Sequence, residues 1–160
     1  MDFTTKVISA EKAYQLAIEL KKKGKKIVFA NGCFDLLHVG HIRYLTEAKS
    51  YGDYLFVGLN SDESVKQLKG ENRPYTPQEE RAEILSALIP TDYIFIFEEL
   101  DVREVLGKLR PHFHAKGTDY TKETVPERDI AQKLGIEIII CGDKKNHSSS
   151  WIIKGIQENG

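Results

Sequence analysis

At 160 residues, with 41% hydrophobic and 29% charged side chains, the chain has the length and balance of one compact domain around one core, not of two. Its 23 Lys+Arg nearly cancel 24 Asp+Glu, which excludes a general electrostatic pull toward nucleic acid or an anionic membrane and makes any phosphate binding local. No apolar run approaches the ~18 residues that span a bilayer, residues 1–6 carry no leader pattern, and Cys33 and Cys141 form neither a CxxC pair nor a disulfide framework, so a cytoplasmic location is expected.

Residues 10 to 23 place Ala13, Leu16, Ala17 and Leu20 on one helix face and stop at Lys23-Gly24, a C-cap pattern. Lys25 to Asn31 reads as a buried first strand that breaks at Gly32. A helix carrying Ile42, Leu45 and Ala48 follows, then a second strand, Tyr54 to Asn60. Thr76-Pro77-Gln78-Glu79 predicts a capping box opening a helix that runs to about Leu88. Tyr93 to Phe97 is a third strand, Val102, Val105, Leu106 and Leu109 mark another helix face, and His112 to Ala115 is a fourth strand. Pro126 opens a helix with Ile130 and Leu134, Ile136 to Cys141 is a fifth strand, and a last helix begins near Ser149. Five strands alternating with helices predict an α/β, Rossmann-like, doubly wound parallel sheet, with residues 1–160 as a single domain and 1–24 as a helical extension to it. In such a sheet ligands sit beyond the C-terminal strand ends, where strand order reverses. The loop after the first strand is therefore the first place for chemistry.

That loop reads Asn31-Gly32-Cys33-Phe34-Asp35-Leu36-Leu37-His38-Val39-Gly40-His41, with a helix expected to start at the second histidine. Glycines permit close approach of the backbone to a ligand, a helix N-terminus offers N–H groups to an anion, and two imidazoles donate to phosphate oxygens. A metal reading is weaker: zincin helices space histidines at i, i+4 around a Glu, and no third ligand is evident here. The pattern Gly32-x-Phe34-Asp35-x-x-His38-x-Gly40-His41 resembles the signature of the cytidylyltransferase-like nucleotidyltransferase superfamily, the HxGH type, and the likeness runs from about Lys25 to Ile156.

The resemblance implies attack of a phosphate monoester on the α-phosphate of a nucleoside triphosphate with expulsion of pyrophosphate, and it makes His38 and His41 the donors to the charge that develops. It places Asn31, Gly32, Cys33, Phe34, Asp35 and Gly40 in the nucleotide-binding stretch, where Phe34 and Cys33 also read as packing residues and Asp35 as an orienter of a histidine or a support of the loop. Lys66, Lys69 and Arg73 lie in a glycine-containing loop that suits a triphosphate and equally a solvated surface. The segment resembles the Asn-Ser-Asp and Leu-Lys-Gly...Arg-Pro pattern of the branch that makes nucleotide-activated heptose, which implies catalytic roles for Lys69 and Arg73 and acceptor contacts from Asn60, Asp62 and Arg81.

Ala115 to Tyr120 is similar to the Lys-Gly-Gly-Asp-Tyr segment of heptose 1-phosphate adenylyltransferases, with Thr118 in place of the second glycine, and implies nucleotide contacts from Lys116, Gly117 and Asp119. His147 to Ile153 is similar to the family's Ser-Thr-Thr start of the last helix, where Ser148 and Ser149 either cap the helix or meet a phosphate, and Lys144 or Lys145 stands where cytidine-using relatives carry an arginine. The expectation is an adenylyltransferase joining AMP from ATP to D-glycero-D-manno-heptose 1-phosphate, with Mg²⁺ carried by the triphosphate and no dedicated protein cage. The alternatives are a cytidylyltransferase acting on glycerol 3-phosphate or another small phosphate ester and a non-catalytic nucleotide-binding protein. By the same resemblance a homodimer is expected, and a separate sugar kinase supplies the acceptor. The Lys21 to Lys26 run complements a helix C-terminus, and His112, His114 and Cys141 read as structural.

Overall fold

The computed structural model describes residues 1–144 and 149–159, Ser149 by its backbone alone. A 3₁₀ turn at Phe3–Lys6 leads into α1 (Ala10–Lys22), β1 (Ile27–Gly32), α2 (Val39–Ser50), β2 (Tyr54–Asn60), α3 (Asp62–Lys69), α4 (Gln78–Ser86), β3 (Tyr93–Phe97), α5 (Arg103–Leu109), β4 (Phe113–Gly117), α6 (Arg128–Leu134), β5 (Glu137–Cys141) and α7 (Ser149–Asn159). Among the described residues no helix is long and apolar enough to cross a membrane.

The five strands are all parallel in the order β3-β2-β1-β4-β5, so the chain winds outward from β1 to β3 and then returns to the other side of β1. The reversal point lies between β1 and β4. These two strands pair at Val28↔Phe113 and Phe29↔His114, whereas β1 stays in register with β2 through Gly32↔Leu59 and β4 with β5 through Gly117↔Cys141. The C-terminal halves of β1 and β4 thus part, and the gap opens where a doubly wound sheet holds its ligand.

Side-chain alternation along the strands divides the core in two. Ile27, Phe29, Phe56, Phe95 and Phe97 pack with Ala13 and Ala17 of α1 and Val105, Leu106 and Leu109 of α5. Val28, Ala30, Leu55, Val57 and Leu59 pack on the other face with Leu45 and Ala48 of α2 and Ala82 and Leu85 of α4. Residues 1–24 join this sheet directly: Ala13 and Ala17 are buried, Ser9 caps α1 by accepting from Lys12 N at 3.1 Å, and Val7 forms a parallel bridge to Ile94. The helix ends at Lys22, with Lys23 as its cap and Gly24 at φ +75°, as its sequence predicts.

Two local expectations are corrected. The capping box at Thr76 to Glu79 does not form: α4 starts at Gln78 and Pro77 makes no side-chain cap bond. The Gln78 amide oxygen instead accepts from Asp62 N at 2.8 Å, and Thr76 N donates to Asp35. The segment before Gly70, read as a loop, is the helix α3, capped by Ser61, whose hydroxyl accepts from Ser64 N at 3.2 Å, with Asp62 and Glu63 in its first turn.

Candidate active site

The loop after β1 is shaped by packing before it meets any ligand. Phe34 has a left-handed backbone, φ +47°, and its ring is 5% exposed with its centroid 5.4 Å from that of His41. A Cβ on Gly32 would lie 3.0 Å from the Phe34 ring, so the glycine makes room for this fold-back. His38, not His41, begins α2: it is the N-cap, and its Nδ1 accepts from Gly40 N at 3.1 Å. His41 Nδ1 accepts in turn from His38 N at 3.3 Å, and the two rings stand 4.0 Å apart. A ring nitrogen that accepts carries no proton, so this pattern assigns Nε2–H, neutral imidazole, to both residues. Two N–H donors and the positive end of α2 are gathered in one turn of helix.

Asp35 supports the loop and does not orient a histidine. Its carboxylate accepts from Tyr75 N at 2.9 Å, Thr76 N at 3.0 Å and Arg73 Nε at 2.8 Å. Burial pushes the carboxyl's pKa up, but the Tyr75 and Thr76 amides and the Arg73 guanidinium overcome that and hold it below the ordinary carboxylate value. The 70s loop is thereby tied to the histidine loop, with Arg73 stacked 5.2 Å over the Tyr75 ring. Gly70, φ +113°, makes the turn between α3 and this loop.

Arg81 is 1% exposed and does not line the cavity. It donates to Thr76 O at 2.8 Å, Cys33 O at 2.7 Å, Asn60 O at 2.9 Å and the Asp62 carboxylate at 2.7 Å. Asn60 and Asp62, expected with Arg81 on the acceptor side, also lie outside the cavity lining; Asp62 is engaged by this guanidinium. The three residues are brought together, but as the joint that holds β2, α3 and the two loops.

Across the gap, β4 delivers Lys116, Gly117, Thr118 and Asp119. The Thr118 hydroxyl donates to Asp143 O at 2.6 Å, so the departure from glycine ties the loop after β4 to the loop after β5. Tyr44 OH donates to Ala115 O at 2.8 Å. Deeper in the same strand, His114 is fully buried, stacks on Phe29 at 5.4 Å and pairs its Nε2 with Asn31 Oδ1 at 3.1 Å, while its Nδ1 has no partner. Desolvation, with Lys116 second, pushes its pKa down to about 3.

This histidine makes folding sensitive to acid. The folded state releases its proton far more readily than the unfolded chain, so stability is complete above the ordinary histidine pKa of about 6.5 and is lost as pH falls from there toward 3. At pH 5 the loss from this group is on the order of 2 kcal/mol. Urea unfolding at pH 7.5 and 5 is expected to show that loss, and His114→Gln to reduce it by about the same amount; an unchanged difference in the variant would remove the assignment.

The cavity between these walls measures about 450 Å³ and is lined from the first loop by Asn31, Gly32, Cys33, Phe34, Asp35, His38, Gly40 and His41, and by Lys69 and Arg73 from the 70s side. Lys116, Gly117, Asp119 and Lys144 complete the expected set. Ser148 and Lys145 lie outside the described residues, as does the Ser149 side chain; Ser150 lines the cavity. Sequence reasoning passed over Tyr44, Gly142, Asp143 and Ser150. Tyr44, three residues after His41 on the same helix face, was findable from that spacing. Burial pushes the Cys33 thiol pKa up, against the neighbouring cations, which fits a packing residue.

The family profile described as Cytidylyltransferase-like matches residues 29–155, the span from β1 into α7 that builds this cavity. The chain belongs to the cytidylyltransferase-like family of nucleotidyltransferases. Among curated members, it is 50% identical over 149 residues to the bifunctional protein HldE of Aliarcobacter butzleri, covering 93% of this chain and 30% of that protein. It is 48% identical over 138 residues to the bifunctional protein HldE of Pelobacter propionicus, covering 86% and 28%. The chain thus spans less than a third of the length of these cytidylyltransferase-like relatives. Among solved structures, the lipopolysaccharide core biosynthesis protein from Thermoplasma volcanium is 30% identical with a TM-score of 0.66, covering 76% of this chain and all of that one. The pantoate-beta-alanine ligase from Francisella tularensis, at 17% identity and a TM-score of 0.65, shares the fold.

Proposed function

We propose that this domain joins AMP from ATP to a sugar 1-phosphate, D-glycero-D-manno-heptose 1-phosphate, giving ADP-heptose and pyrophosphate. The observation that carries the reaction is the reciprocal bonding of His38 and His41, which leaves each ring with its proton on Nε2 at the edge of a cavity that also takes Lys69, Arg73 and Lys116. In the reaction an oxygen of the acceptor phosphate forms a bond to the α-phosphorus of ATP as the bond to the bridging oxygen breaks. That electron pair leaves with pyrophosphate. The attacking phosphate is already anionic, so no base has to remove a proton. What the protein supplies is N–H donors and cations for the charge growing on the non-bridging α-oxygens and the leaving group, fixed before the substrates arrive.

Among the described residues no three His, Cys, Asp or Glu side chains gather to hold a metal, and Asp35 already serves Arg73, Tyr75 and Thr76. Mg²⁺ would arrive as the counter-ion of ATP, held by phosphate oxygens and water, where it neutralises triphosphate charge. The heptose assignment is supported by the HldE relatives, by the likeness to the lipopolysaccharide core biosynthesis protein from Thermoplasma volcanium, and by the likeness of residues 115–120 to heptose 1-phosphate adenylyltransferases. The sugar 1-phosphate would come from a sugar-phosphorylating step.

Pyrophosphate release with Mg²⁺ across ATP, CTP, GTP and UTP, each paired with heptose 1-phosphate, other sugar 1-phosphates and glycerol 3-phosphate, tests the reading. ATP with heptose 1-phosphate is the expected dominant pair. CTP with glycerol 3-phosphate would keep the mechanism and replace the substrates; ATP binding with no release from any pair would leave a nucleotide-binding domain.

A further inference from the structure

Glu127 occupies an energetically awkward place that neither helix capping nor packing explains. It stands at the N-cap position of α6 yet makes no side-chain cap bond. It is 6% exposed, and its Oε2 is buried without a hydrogen-bond partner. A carboxylate drawn out of water with half its acceptors unused is costly unless an opposite charge accompanies it. That charge is Lys116, whose Nζ lies 3.6 Å from Glu127 Oε1. The cationic neighbour Arg103 is spent elsewhere, on Asp129 and on Pro126 O.

Lys116 is unusual in the same way. Lysine is ordinarily a flexible, strongly hydrated point charge that loses rotamer entropy when fixed. Here its side chain is 11% exposed, its backbone is set in β4 opposite Ile140, and its ammonium lies 4.8 Å from the Tyr120 ring centroid as well as against Glu127. It nevertheless lines the same cavity as Asn31 and His41. A carboxylate and an aromatic ring from the segment after β4 thus hold the ammonium at the cavity wall.

We propose that Glu127 is a positioning residue: its carboxylate pins the Lys116 ammonium at the wall of the cavity, so that the cation is in place before a nucleotide's phosphates arrive. The proposal rests on the nucleotide reading above for the identity of the ligand and on the Glu127–Lys116 juxtaposition for the rest. An ammonium with three donors serves Glu127 and a phosphate oxygen at once. Without the carboxylate the buried cation loses its partner and turns away from the cavity toward water.

Calorimetric titration of MgATP into four proteins, wild type, Glu127→Gln, Lys116→Met and the double variant, decides the matter. Glu127→Gln is expected to weaken ATP binding about tenfold while Lys116 is present and to cause no further loss in the Lys116→Met background, a coupling that a merely structural glutamate would not produce. Equal losses in both backgrounds, or an unaltered affinity in Glu127→Gln, would overturn the proposal. Circular dichroism melts establish that each protein is folded. Should Glu127→Gln not fold, Glu127→Asp, which keeps the charge but withdraws it by one methylene, passes through the same cycle with the same deciding outcomes. Wild type that binds ATP and releases no pyrophosphate defeats the catalytic reading alone, whereas wild type that binds no ATP defeats both.

Discussion

His41→Ala is expected to lower kcat by about 10²- to 10³-fold while leaving a folded protein, the range found when one fixed donor to a developing oxyanion is removed. The side chain has two tasks. Its Nδ1 accepts from His38 N, and the Nε2–H tautomer this imposes supplies a donor at the cavity. Alanine loses both, so a stability cost of about 1 kcal/mol, typical of a lost helix cap, accompanies the kinetic loss. Steady-state kinetics against ATP and acceptor, with a thermal melt on the same samples, separate the two effects. Because the rings brace each other, the His38→Ala/His41→Ala pair is expected to lose less than the product of the single losses. A folded His41→Ala protein with wild-type turnover would remove the histidines from the mechanism.

The largest stability effect is expected at Arg81. Arg81→Met keeps an unbranched apolar stem but abandons three carbonyls and a carboxylate that the guanidinium now satisfies, at Thr76, Cys33, Asn60 and Asp62. Breaking a buried charged network from one side costs about 3–5 kcal/mol, a third or more of the stability of a typical domain. A fall in Tm of roughly 10 °C is the expected reading. Arg81→Lys is expected to recover little, since one ammonium does not present a planar fork of donors in four directions. If Arg81→Met instead melted like wild type and raised only the KM for the acceptor, the acceptor role implied by the sequence resemblance would be restored.

What the sequence made legible, and what it hid, follows from how local each signal is. The strands of β2 and β3 are readable to the residue because they are continuous apolar runs bounded by polar turns. The histidine loop is readable because all its parts lie within eleven consecutive residues. The Thr76 to Glu79 segment misled for the opposite reason: the Thr76 amide that a capping box would satisfy donates to the distant Asp35, and the helix starts two residues later, at Gln78. The same holds for Arg81, whose partners come from three separate stretches of chain, around Cys33, Asn60 to Asp62 and Thr76, and for Glu127, buried beside a lysine that sequence spacing does not bring near it. Tertiary hydrogen bonds have no periodicity to read.

The reciprocal bonding of His38 and His41 has a consequence for how members of this family diverge. The histidine pair is self-contained: four residues fix both ring orientations and both proton positions. The cations and polar groups around it arrive from three other stretches, the end of α3 with the 70s loop, the end of β4 with the segment after it, and the segment after β5. On the function proposed above, insertions, shortenings or substitutions in those stretches would alter which base and which acceptor are welcomed without retuning the pair. Selectivity would be free to drift while the geometry of the histidine pair is kept.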